Sequence, residues 1–147
     1  MKTPDLTKQP PRSPRVRLGG YTILPRLLDK GRAAIAGLNG EYKFNCPLDQ
    51  RFFEFTGIDA EALKQQLAAG KGDGDILEWI GANSKTKPSE YAIAEWSALA
   101  EKRVPADLES RQYFNELHSK VAPKREDIAT WFDLLDLDDF GSFGGIV

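Results

Sequence analysis

Apolar residues in this chain recur three and four positions apart, and prolines and glycines cut the pattern into short pieces. That period buries one face of an α-helix, whereas a half-buried strand needs alternation with period two. Leu24, Leu27, Leu28, Ile35 and Leu38 make one such stripe in a segment that turns helical at Tyr21, with Pro25 in the first turn, where its missing N–H is no loss. Gly31 lies on the stripe; glycine inside a helix costs about 1 kcal/mol relative to alanine, so a close helix crossing is expected there. Asn39 and Gly40 are expected to end the helix. A second helix is expected from Pro47 to Thr56, stopping at Gly57, and a third, capped by Asp59, closes at Gly70.

Further along, ILEWIGAN reads as a short aromatic helix, and Ser89 opens SEYAIAEWSALAEK, with Ile93, Trp96, Leu99 and Ala100 on one face. Pro105 and Pro123 break the chain on either side of DLESRQYFNELHSKV, where Phe114, Leu117 and Val121 line up. A last helix is expected in EDIATWFDLLDL, with Ile128, Trp131, Phe132 and Leu135 in register. Trp79, Trp96 and Trp131 fall on different helices and read as core anchors. Only YKFNC offers a short extended piece, so the fold class is all-α: a single compact domain of about seven short helices with an extended N-terminal arm. The divisions are a basic arm over 1–20, a helical domain over 21–140 and a glycine-rich tail over 141–147.

With 147 residues, 41% of them apolar, the chain has the size and composition of one soluble globular domain. No apolar run approaches the roughly 20 residues that span a bilayer, and MKTPDLTKQPPRSPRVR has no signal-like apolar stretch. A cytoplasmic protein without cofactor, metal or membrane partner is expected. The net charge of −2 conceals an asymmetry: residues 1–32 carry a balance of +6 and residues 126–147 one of −6. The two ends either attract each other within one chain or join chains head to tail into a homo-oligomer. Nucleic acid is disfavoured, because the basic stretch is short and the remainder acidic.

The runs PPRSPRVRLGGYTILPRLLDK and NCPLDQRFFEFTGID, with TWFDLLDLDD and SFGG near the end, resemble a bacterial family of small proteins catalogued only as a domain of unknown function. The likeness spans nearly the whole chain, with Gly31 and Gly72 departing from the alanine and serine of relatives. It implies a bacterial cytosol and transfers no activity.

Three places could carry chemistry. Cys46, the only cysteine, precedes Pro47 as the N-cap of a helix, where the dipole favours a thiolate. Asp49 competes there for the same donors, and Phe44, Phe52 and Phe53 favour a buried, structural sulfur. Second, Arg12, Arg15 and Arg17 precede Gly19, Gly20 and Tyr21 at a helix start, an arrangement that suits an anion, with Arg26, Asp29 and Asn45 as further ligand-binding candidates. The competing reading pairs these arginines with carboxylates such as Asp136 or Asp138 of the same chain. Third, Asp133, Asp136, Asp138 and Asp139 crowd a helix C-terminus, where negative charge is unfavourable and a partner is expected. His118 borders the core and reads as a packing residue, with catalysis as the alternative.

The favoured function is a non-enzymatic binding or regulatory module taking an anionic small molecule or a protein partner. The rival is a small enzyme whose cleft collects Arg26, Asp29, Asn45, Cys46 and Asp49, with Cys46, Asp49 and His118 as catalytic candidates. A self-associating structural protein is the third.

Overall fold

The computed structural model describes residues 2–146 and contains, among these, seven helices and no strand. The outermost residues of the expected arm and tail, Met1 and Val147, lie outside the described residues. The helices are α1 (Leu24–Ile35), α2 (Pro47–Thr56), α3 (Ala60–Ala68), α4 (Asp73–Asn83), α5 (Glu90–Lys102), α6 (Leu108–Val121) and α7 (Trp131–Ser142). The all-α expectation holds, and the number of helices matches it.

Local chemistry accounts for most helix ends. Asp59, Ser89, Asp107 and Thr130 accept backbone N–H bonds from the first turns of α3, α5, α6 and α7. Both ends of α1 differ from expectation. The chain reaches α1 through Tyr21, Thr22 and Ile23, and Ile23 is held at φ 71°, a left-handed conformation that β-branched residues avoid. Its N–H bonds the carbonyl of Pro14 at 2.9 Å and its side chain is fully buried, so tertiary packing sets the helix start three residues late. At the other end α1 stops at Ile35, before Asn39 and Gly40. Gly37, at φ 71°, lets Leu38 N–H reach Ala33 O at 2.8 Å, which satisfies a carbonyl of the last turn. Residues 126–130 are not helical, and the segment YKFNC forms turns rather than a strand. Helix α7 runs through Ser142, two residues into the expected tail.

Packing divides into two lobes. Leu24, Leu27 and Leu28 of α1 meet Phe52 and Phe53 of α2, Leu63 and Leu67 of α3, and Ile76 and Ile80 of α4. Gly31 explains the α1–α3 crossing: a Cβ there would stand 2.5 Å from Leu67 Cδ1 and 3.2 Å from the Phe44 ring. Gly72, the N-cap of α4, has open space around it. The second lobe gathers Phe114 of α6 with Leu134 and Leu137 of α7 and the loop residues Ala122 and Ile128. Ile23, Ala100 and Phe132 form a small cluster that joins the lobes, flanked by Leu48 and Trp96. The tryptophans are half-buried: Trp96 stacks on Phe55 at 5.0 Å, Trp131 meets Phe114 edge-on at 5.4 Å, and Trp79 packs on the first lobe. Ile35 and Leu99, which share the expected stripes, are exposed.

The arm is docked rather than loose. Leu6 is buried and its N–H bonds Leu38 O at 2.8 Å; Pro11 and Pro14 are buried as well. Arg12 straps the arm over α1, bonding both carboxylate oxygens of Asp29 at 2.9–3.0 Å and Asp73 Oδ2 at 2.8 Å. Arg32 holds the other oxygen of Asp73 at 2.8 Å. Burial alone would raise the Asp73 carboxyl, but the bonds from Arg12 and Arg32 outweigh it and hold the group below its ordinary value of 3.8. A depressed folded-state value stabilises above the unfolded-state value and loses that contribution as pH falls through the folded one. Arg12→Ala should therefore cost about 1–3 kcal/mol in urea denaturation at pH 7, against less than about 0.5 kcal/mol for the exposed Arg17, bonded only to Glu101. The gap between wild type and Arg12→Ala should narrow as pH falls below 3.8.

Candidate functional site

A cleft of about 1180 Å³ lies between the two lobes. Helices α1 and α2 and the α1–α2 loop form one side, and α7, the end of α5 and the start of α6 form the other. Its apolar wall includes Leu48, Val104, Trp131, Phe132, Leu135 and Phe143. Its polar floor comes from α1, on the side opposite the leucine stripe.

Arg26 is buried there and grips Asp139 of α7 with two nitrogens, at 2.7 and 3.2 Å. The Tyr42 hydroxyl donates to Asp139 Oδ1 at 2.8 Å, and the tyrosine ring lies under the guanidinium at 5.4 Å. Burial, then the bond to Asp139, pushes the Tyr42 phenol above its ordinary value. One turn on, Lys30 is also buried; its Nζ lies 2.9 Å from Asp49 Oδ1 and 3.2 Å from Cys46 Sγ. The other oxygen of Asp49 accepts the Asn45 N–H at 2.9 Å. Asp49 sits in the first turn of α2, where the helix dipole favours a carboxylate, and it is fully buried.

Cys46 corrects a sequence expectation. It holds the N-cap position of α2 as expected, without a side-chain cap bond, but is partly exposed and lines the cleft rather than being buried among phenylalanines. Phe52 and Phe53 turn into the first lobe, and Phe44 packs against it, while the thiol lines the cleft. Of the candidates grouped with it, Arg26 shares the cleft, Asp49 lies behind Lys30, and Asp29 is turned to the arm, where it bonds Arg12. Asn45 is exposed, at φ 60°. His118 packs edge-on to Phe114 and shares a 2.6 Å hydrogen bond with Arg125 O; it does not line the cleft.

The arm arginines spend their charges inside the chain. Arg12 is held by Asp29 and Asp73, Arg15 by Asp133 and Asp136, and Arg17 by Glu101. Asp138, the other carboxylate named for such pairing, is left out. Gly19 and Gly20 form a turn closed by Leu18 and Tyr21; Leu77 and Ile93 occupy the space beside it, and Ser97 Oγ donates to Gly20 O at 2.6 Å. The glycines thus seat the arm against α4 and α5. Lys30 and Glu54, which the sequence suggested could join Asp29 in a shared polar cleft, do line it, without Asp29; Tyr42 and Asp138 also line it and were not expected there. The available signal was the density of charge in PRLLDKGR, more than one exposed face of a short helix requires.

Among the described residues no group of three or more metal-ligating side chains comes together, and no helix is long and apolar enough to cross a membrane. A family model described as a domain of unknown function, DUF5069, matches residues 8–140. No curated protein matches the chain.

Removing one partner of a buried ion pair leaves the other charge unpaired and desolvated. Asp139→Ala should lower stability by about 3–5 kcal/mol in denaturant unfolding, and Tyr42→Phe, which removes one hydrogen bond to the same carboxylate, by about 1 kcal/mol.

Proposed function

Because the chain belongs to the DUF5069 family, whose description assigns no activity, we propose from the cleft itself that the protein is a binding module for a small organic ligand. The observation that carries this reading is the cleft's construction: a space of about 1180 Å³ with an aromatic and aliphatic wall over a floor of paired charges. Small-molecule sites have this make-up, and their usual volume of about 300–1,000 Å³ is only slightly exceeded here. Because Arg26 and Lys30 are neutralised by Asp139 and Asp49, the floor is organised before any ligand arrives. That lowers the cost of ordering it on binding. A partly exposed free thiol in the cleft suits a reducing compartment, so the module is read as cytosolic.

A second reading, a small enzyme using Cys46, is favoured by one observation: the buried Lys30 Nζ lies 3.2 Å from Sγ at the edge of the cleft. A cation beside sulfur is one of the arrangements found at reactive cysteines. The cleft holds no histidine to act as base, and this favours binding over catalysis.

The neutral dye N-phenyl-1-naphthylamine tests the binding reading. Its fluorescence should rise saturably at one site per chain, and Val104→Glu, at an exposed position of the wall, should weaken it by about fivefold to tenfold. Unsaturable binding, or binding indifferent to that change, would remove the cleft as the site. Saturating dye should also slow iodoacetamide labelling of Cys46 in the native protein. If Cys46 instead labels much faster than a free thiol, the enzyme reading gains.

A further inference from the structure

The charges that line the cleft can be divided by depth. Lys43, Arg51 and Arg103 are exposed, and so are Glu41, Glu54 and Asp107, so the rim is electrically balanced and open to water. Long exposed side chains of this kind interact weakly with one another and with a ligand. Deeper in, Arg26 is cancelled by Asp139 and Lys30 by Asp49. What remains is Asp138, half-buried on α7 and lining the cleft.

Asp138 differs from the aspartates around it in having nothing to bind. Asp133 takes Arg15 and the N–H groups of its own helix cap, Asp136 takes Arg15, and Asp139 takes Arg26 and Tyr42. Among the described residues, none makes an ion pair or a hydrogen bond to the Asp138 carboxylate. Its burial, and next the neighbouring Asp139 charge, push it above its ordinary value; Arg26 and Lys120 pull the other way without reversing the shift. The Asp138 oxygens still reach water, and an unpaired carboxylate facing a cavity is complementary to a cation that enters it. The same cleft presents Tyr113 and Trp131, paired at 6.4 Å, and aromatic faces of this kind also attract an ammonium group.

We infer that the ligand of this cleft is a small organic cation, an amine on an apolar body, with Asp138 as the acceptor for its ammonium group and the aromatic wall as the seat for the rest. This rests on the cleft being a ligand site and adds the charge of what it takes. It departs from the anionic ligand that the arginine-rich arm suggested, since those arginines are all engaged by carboxylates of the same chain.

Calorimetric titration with three phenyl probes of similar size tests it: 2-phenylethylamine, the neutral 2-phenylethanol and the anionic 3-phenylpropanoate. The amine should bind about tenfold more tightly than the alcohol, and the carboxylate more weakly than either. Asp138→Asn should bring the amine down to the alcohol's affinity while leaving the alcohol unchanged, with a melting curve to show that the variant is folded. Glu54→Gln, on the rim, should change none of the three. If the alcohol or the carboxylate binds as well as the amine, or if Asp138→Asn leaves amine binding intact, the charge assignment is wrong while the cleft stands as a site. If Glu54→Gln weakens the amine as much as Asp138→Asn does, recognition lies at the rim and the assignment to Asp138 fails. If none of the probes binds at millimolar concentration and the naphthylamine dye does not bind either, the cleft reading falls together with this one. The wild-type ranking of amine over alcohol tests the inference even if the Asp138 variant does not fold.

Discussion

Helix α1 is buried along most of its length while carrying Arg26, Asp29, Lys30 and Arg32, and each of these four charges is met by a different part of the chain. Arg26 pairs with Asp139 of α7, Asp29 with Arg12 of the arm, Lys30 with Asp49 of α2 and Arg32 with Asp73 of α4. An unpaired charge withdrawn from water costs several kcal/mol, so each ion pair commits one surrounding element to a definite position against α1. The leucine face of the same helix packs on α2, α3 and α4 by burial alone, which is strong but tolerant of small shifts. The apolar face holds the elements together, and the charged face specifies where they sit.

The cleft follows from this arrangement. The two lobes have separate apolar clusters, joined by a small third one and by the bonds of Arg26 and Tyr42 to Asp139, with a gap above the polar face of α1. The ion pairs at its floor are formed within the chain. Asp138, half-buried on α7, stays outside that network, and the Cys46 thiol stands beside Lys30.

Much of the helical framework was legible. Asp59, Ser89 and Gly57 mark helix ends by chemistry that acts within a few residues, and the predicted crossing at Gly31 is met by Leu67 and Phe44. The attraction between the basic start and the acidic end was legible too, as Arg15 with Asp133 and Asp136. Ile23 was not: nothing in a β-branched residue suggests a left-handed backbone, which here is imposed by its burial and by the Pro14 carbonyl. Cys46 was misplaced because its phenylalanine neighbours in sequence pack into the first lobe, whereas the thiol lines the cleft. Of the candidate site, Arg26, Cys46 and Asp49 were named and Lys30 was offered as a member of a polar cleft, but Tyr42 and Asp138 were not assembled with them.

Periodicity, caps and breakers are local properties, and they alone determined that this protein is a set of short amphipathic helices with a basic leader and an acidic end. Which carboxylate neutralises which cation is a matter of distance in space, since every aspartate is equivalent to an arginine until packing brings one of them within reach. Only the tertiary structure could therefore decide that the arm arginines are occupied, that the charged side of α1 is an interior surface, and that one aspartate of four is left facing the cleft.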